Sequence, residues 1–229
     1  MRGCGRLMLA IGALGTTAAL AERREVFPHV FVDAEAGVVD VAGTVPIDTK
    51  NESAPDVYLE VVLCARDSKE HESLVMTDAL ASHVHAALLL IGAEPGSPGA
   101  IPREGDRVAP VGDAVRVELV TLDGDGSEVV HDPRSWVRRV GGGTLSDAAG
   151  IGWVFAGSRM AKRQGAEIYD ADGTGLIVGL HTFGSEVVAL CTVWSPDSGL
   201  DEPEWLAAND AVPAQGTPVA VRLSRANPD

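Results

Sequence analysis

Aromatic and basic side chains are scarce in this 229-residue sequence, and cysteine is nearly missing. Phe, Trp and Tyr together make up 4% of it, and 18 Lys and Arg stand against 33 Asp and Glu. At a formal net charge of -15 the surface field repels DNA, RNA and anionic lipid, which excludes general nucleic-acid binding and acidic partners. The cysteines are Cys4, Cys64 and Cys191, with no CxxC among them, so neither a thioredoxin-like site nor a four-thiolate iron-sulfur cluster is supported. No apolar run reaches the roughly 20 residues of a permanent membrane helix. The complete catalytic signatures are missing too. Gly141, Gly142 and Gly143 lack the Lys-Ser/Thr ending of a P-loop and read as a flexible linker. His71-Glu72 opens an H-E-x-x-H string, but Val75 stands where the second histidine is required. No serine lies in G-x-S-x-G.

What is present is a globular composition, 45% hydrophobic, in a length that suits one domain. The first residues place Arg2 and Arg6 before an apolar run from Leu7 to Leu14 and end in Ala19-Leu20-Ala21, which reads as a secretory signal peptide over residues 1–21. Cys4 precedes that run, so a lipoprotein anchor is not expected. The remaining domain, residues 22–229, is expected to be periplasmic or secreted, without stable membrane insertion. Cys64 and Cys191 fall in strand-like runs there. Two readings stay open for them, a disulfide between neighbouring strands and two separate buried thiols.

Hydrophobic alternation dominates the chain. Val30 to Val45 reads as a hairpin around the turn formers Asp33 to Gly37, and Val57 to Cys64 as an inner strand. Val115 to Val120 turns at Asp123 to Gly126 and returns through His131. Further strands are expected over Ile151 to Ala156, Leu176 to His181, Glu186 to Trp194 and Pro218 to Leu223. Asp170 to Gly175 reads as a turn. Helical signals are fewer. Asp78 or Ser82 can cap a helix running to about Ile91, with Leu80, Val84, Ala87, Leu88 and Ile91 on one face. Asp132-Pro133 opens a short helix through Trp136 to Val140, and another is expected around Glu204 to Asn209. The fold class predicted is α+β, a mostly antiparallel β-sheet with one clear amphipathic helix. GDAVRVEL from Gly112 and GTPVAVRL from Gly216 share one spacing, which fits two unrelated strands each opened by a turn glycine.

The densest polar constellation is Lys69, Glu70, His71, Glu72 and Ser73, followed by Ser82, His83 and His85. Three of the chain's 6 histidines fall within it. Imidazole and carboxylate together can ligate a borderline metal ion or form an acid-base pair working near neutral pH. These eight residues are the candidate ligand-binding site, with a small molecule or a metal ion as the partner. The structural alternative is a helix cap and surface ion pairs. In a second functional reading the protein is a hydrolase, with His71 as general base oriented by Glu70 or Glu72. A third is a protein-interaction domain with no small-molecule site. Trp136, Trp153, Trp194 and Trp205 read as core anchors, His181 as a rim residue, and Arg134, Arg138 and Arg139 as a basic patch paired with carboxylates.

The segment CARDSKEHESLVMTDALASHVHAALLLIGAEPG, Cys64 to Gly96, resembles the YdjY-like domain family of bacterial proteins, in which a similar K-E-H-E-S-L loop leads into an S-H-x-H-A-A-L helix. EWLAANDAVPAQGTPVAVRL and WVFAGSRM look like later parts of the same proteins. The resemblance covers most of the domain and implies no substrate or cofactor. Some members are described as ferredoxin-like, a label the cysteines here do not support.

Overall fold

The computed structural model describes residues 23–51, 53, 55–147, 151–163 and 165–226. The leader expected over residues 1–21 lies outside the described residues.

Alternating apolar strands close on themselves as an eight-stranded β-barrel. In chain order the strands are β1 (Arg24–Phe27), β2 (Val30–Asp33), β3 (Val38–Thr44), β4 (Val61–Ala65), β5 (Ser73–Thr77), β6 (Ala114–Leu122), β7 (Glu128–His131), β8 (Val137–Arg139), β9 (Trp153–Phe155), β10 (Met160–Arg163), β11 (Ala166–Tyr169), β12 (Leu176–Gly179), β13 (Val188–Leu190), β14 (Trp205–Ala207) and β15 (Pro218–Arg225). The ring runs β3-β15-β6-β9-β13-β12-β4-β5 and closes where Met76 of β5 meets Thr44 of β3. A side chain at Gly43 would strain this closure, because a Cβ there would lie 2.5 Å from the Met76 carbonyl oxygen and 2.7 Å from Val75 Cγ1. Strand β2 covers the first half of the same edge of β3, and β1 continues outward from it.

The period-2 pattern sets which side chains fill the barrel. Val39 and Val41, Val117 and Leu119, and Val219, Val221 and Leu223 are buried in one continuous core. Each contributes about 1.5–3 kcal/mol of transfer free energy. Alternate positions on β3 and β15 build an ion-pair network that reaches across β6 to Glu128 of β7. Arg222 Nε donates to Asp40 Oδ1 at 2.9 Å, and Arg222 Nη2 donates to Glu128 Oε2 at 2.8 Å. Burial alone would lower the Arg222 pKa, but its bonds to Asp40 and Glu128 outweigh that and raise it.

Helix α1 (Ala81–Leu90) packs on β2, β3 and β12, and the short helix α2 (Asp170–Thr174) lies beside it. The expected α+β class is corrected by this architecture, which is 38% strand and 13% helical. Nor is α1 a clear amphipathic helix. Ala81, Val84, Ala87 and Leu88 are buried, yet Leu89 and Leu90 are exposed, so its apolar residues run around the circumference instead of forming one stripe. Neither proposed cap is used. Leu80 holds the N-cap position, and Asp78 is occupied by Arg66, whose Nε lies 2.5 Å away. The Ser82 backbone N–H instead donates to Asp172 Oδ1 of α2 at 2.8 Å, so a distant carboxylate supplies what a local cap ordinarily does.

Three local expectations are also revised. Residues 205–207 form β14, paired with β8, because Leu59 N–H and the β8 backbone claim the hydrogen bonds that a helix there would keep to itself. Asp170 to Gly175 is helical, and the expected helix after Asp132 is a 3-10 turn over Pro133–Trp136 that passes into β8. The two similar strings become β6 and β15, antiparallel neighbours in the barrel. Cys64 and Cys191 are free thiols, the first buried and the second exposed. Arg134, Arg138 and Arg139 pair with Asp132, Asp56 and Glu204. Among the described residues no helix is long and apolar enough to cross a membrane.

Candidate functional site

Strands β4 and β5 are parallel neighbours, an arrangement that ordinarily needs a crossover of about a dozen residues or more. Here residues 66–72 alone carry the chain back. Their tight path is held from within. Glu70 accepts from the backbone N–H groups of Asp67 and Ser68, and Ser68 Oγ donates to the Ala65 carbonyl at 2.5 Å. A 3-10 turn over Glu70–Glu72 follows, and the Glu72 carbonyl accepts from Glu60 N–H at 2.9 Å. The fold-back thereby sets Glu72 beside Glu60, at the entrance to β4, with Lys69 between them. Lys69 Nζ donates to Oε2 of both glutamates, 2.8 Å from that of Glu72, and lies 5.6 Å from the centre of the Phe183 ring.

Glu60 also organises the far wall through its carbonyl, which accepts from the backbone N–H groups of Leu180 at 2.9 Å and His181 at 3.2 Å. The third wall is a strap, residues 195–203. Asp201 Oδ2 accepts from Ser195 N–H at 2.7 Å, and Arg107 grips the same carboxylate from the loop before β6. Trp194 Nε1 donates to the Glu202 carbonyl at 3.2 Å. Together with Tyr58 and Trp205 these elements enclose a cleft of about 250 Å³.

Two groups in its walls stand out. His181 is 4% exposed and Trp205 3%, and both His181 Nδ1 and Trp205 Nε1 are shielded from water with no hydrogen-bond partner. Burial drives the His181 pKa down to about 4, so the ring is neutral at pH 7. Desolvation raises the Glu60 pKa against the pull of Lys69, and the neighbouring Glu72 adds to the rise. For Glu72 burial acts the same way but the Lys69 bond outweighs it, holding this carboxyl below its usual range. Lys69 itself is raised, because its two carboxylate partners overcome its burial.

Of the eight residues singled out from sequence, Lys69 and Glu72 belong to this cluster. Glu70 stabilises the turn. Ser73 is fully buried and donates to the Val75 carbonyl at 2.8 Å. The His71 side chain is 76% exposed, with Nε2 3.8 Å from Glu72 Oε1. Ser82 begins α1. His83 stacks on Phe27, ring centroids 4.6 Å apart. His85 Nδ1 lies 2.8 Å from the Tyr169 hydroxyl, which donates its one proton to the Gly157 carbonyl, so His85 is the donor to Tyr169. Burial lowers the His85 pKa. The imidazoles of His71, His83 and His85 thus face solvent, Phe27 and Tyr169 instead of one shared cavity. Among the described residues, no group of three or more His, Cys, Asp or Glu side chains is placed to hold a metal ion.

Sequence reasoning missed Glu60, His181, Asp201 and Trp205 as a group. Glu60 had a signal of its own, a lone charge among Leu59, Val61 and Val62 in an apolar strand. Asp201 and Trp205 had none, since their role depends on how a turn-rich segment lies over the barrel.

Fold and cleft together define a β-barrel with a small polar cleft beside one parallel strand pair. Residues 30–224 match the family model described as the YdjY domain, and the chain belongs to that family. No curated protein and no solved structure matches it.

Proposed function

We propose that this domain is an exported binding module, and that the cleft between the Lys69 loop, His181 and the 195–203 strap takes a small polar organic ligand. One observation carries the reading: two nine-tenths-buried rings, His181 and Trp205, line the same cleft with unpartnered nitrogens. An unsatisfied buried polar group costs about 1–3 kcal/mol, and these two belong to residues in the walls of one small cavity. A ligand entering under the strap would give both a partner. Glu60 and Glu72 beside them supply acceptors already ordered by Lys69, so little side-chain entropy remains to be lost on binding. Export rests on the leader read in residues 1–21.

The test follows the indole N–H resonance of Trp205 and the melting temperature while the protein is titrated with a methyl hexoside, arginine, spermidine, citrate and inorganic phosphate. At least one probe is expected to shift both in a saturable way, and Glu72→Gln is expected to weaken that response. Silence from every probe, or a response indifferent to Glu72→Gln, would overturn the reading.

A further inference from the structure

The chemistry of the cleft narrows its ligand, on the footing that the cleft is a binding site at all. Begin with charge. Lys69 Nζ is engaged by Glu60 and Glu72, and the Arg107 guanidinium is held by two bonds to Asp201 at 2.7 and 2.8 Å and one to the Val193 carbonyl at 2.9 Å. His181 adds no positive charge above about pH 4. An anionic ligand therefore finds no free cation in these walls. A cationic one finds three carboxylates, Glu60, Glu72 and Asp201, a surplus of one negative charge, but each is already bonded to Lys69 or Arg107 and none stands unpaired to replace the water the cation would lose.

Hydrogen-bonding capacity, by contrast, is abundant and of both kinds. Lys69 uses Oε2 of each glutamate, which leaves Oε1 of Glu60 and of Glu72 outside that pairing. Ser195 Oγ accepts from Asp197 N–H and keeps its own proton to donate, and Ser198 adds a second hydroxyl. Trp205 Nε1–H is an unused donor, and His181 Nδ1 is either donor or acceptor according to tautomer. Beside these lie apolar surfaces, the Tyr58 ring, 48% exposed at the rim, and the Trp205 indole within the wall. A ligand that both gives and accepts many hydrogen bonds, carries no charge and offers an apolar face to an aromatic ring fits this description. The volume, about 250 Å³, lies just below the usual range of about 300–1,000 Å³ for small-molecule sites and limits it to one ring.

We propose that the cleft binds an uncharged polyhydroxylated ring the size of a single hexose, stacked on Tyr58, with its hydroxyls on the free oxygens of Glu60 and Glu72 and on the strap serines. The 195–203 strap that carries these serines is tied to the loop before β6 by the polar bonds of Arg107.

The experiment is calorimetric titration of the full-length mature chain with the methyl pyranosides of glucose, galactose, mannose and N-acetylglucosamine. Arginine and spermidine serve as cationic comparators, citrate and inorganic phosphate as anionic ones, and a linear tetrasaccharide of each responding sugar separates a free sugar from a chain end. At least one pyranoside is expected to saturate. Tyr58→Ala, at an exposed position where folding is not at risk, should weaken it by about tenfold, the scale of one good aromatic contact, while Tyr58→Phe should stay near wild type. Saturation by a charged comparator alone, lost in Glu72→Gln, would overturn the saccharide assignment and leave the cleft as a binding site. Saturation by a sugar unaffected by both Tyr58→Ala and Glu72→Gln would place the ligand elsewhere and overturn the proposal. No response to any probe would overturn both the ligand class and the cleft.

Discussion

Arg107 and Asp201, 94 residues apart in sequence, form a bidentate pair, with Nη1 2.7 Å from Oδ2 and Nη2 2.8 Å from Oδ1. The pair joins the irregular segment before β6 to the strap that forms one wall of the cleft. That hydrogen bonding holds the Asp201 carboxyl below its usual range.

A strap tied in this way should loosen when the tie is cut. Asp201→Asn removes the charge from the guanidinium partner, and Arg107→Ala removes the partner itself. Amide hydrogen exchange over residues 195–203 should speed up by an order of magnitude or more in either variant, with the barrel strands unchanged. Protection retained in the strap would show that its apolar contacts hold it without the ion pair.

His181 makes stability depend on pH. Its ordinary pKa of 6.5 falls to about 4 on burial, so between these values the unfolded chain binds a proton that the folded protein refuses. The contribution of His181 to stability is full above pH 6.5 and falls as pH drops towards 4, by up to about 3 kcal/mol. Burial of Glu186 acts with the opposite sign, since a carboxyl whose pKa is raised in the folded state gains relative stability as pH falls through that raised value. Urea unfolding of wild type and His181→Gln, compared from pH 7 to pH 4, isolates the histidine. The wild type should lose stability relative to the variant across that window, and parallel curves would exclude the effect.

Barrel closure depends on the missing side chain of Gly43. A Cβ there would meet the backbone carbonyl of Met76 at 2.5 Å, and backbone in a closing strand cannot step aside as a flexible side chain can. Gly43→Ala should therefore cost about 1–3 kcal/mol, the range of overpacked sites. Its exchange protection should fall first in β5 and the adjoining end of β3. A variant as stable as wild type would mean that β5 shifts freely and the ring is not tightly closed.

His71, the centre of the sequence-based candidate site, should be dispensable for folding and for occupancy of the cleft. Its imidazole is largely in solvent, and its nearest carboxylate oxygen, on Glu72, is 3.8 Å away. His71→Ala should change stability by less than about 0.5 kcal/mol and leave ligand response intact, whereas Lys69→Ala should weaken that response by removing the cation between Glu60 and Glu72. Loss of binding in His71→Ala would return this residue to the site.

Much of the fold was legible as strands and little of it as a barrel. The hairpin of β2 and β3, the long β6 and the final β15 follow directly from period-2 alternation, because a residue's face in a strand is fixed by its own parity. Which strand lies beside which is not written in that pattern. Met76 on Thr44 and Asp172 on the start of α1 are contacts between segments far apart in the chain, and of the two local caps that sequence offered, Asp78 is held by Arg66 while Asp172 serves where Ser82 was expected to.

The candidate site divides in the same way. The sequence by itself determined most of the strands and an acidic net charge, though not the fold class, and it marked Lys69 and Glu72, because charge clustering in a short loop is a local property. Only the tertiary structure decided that the loop doubles back to lay those two against Glu60, and that a strap from beyond residue 194 encloses His181 and Trp205. Those choices rest on burial and on hydrogen bonds between segments that only the fold brings together, such as Leu180 on Glu60 and Arg107 on Asp201, whose free energy exists only once the barrel has closed.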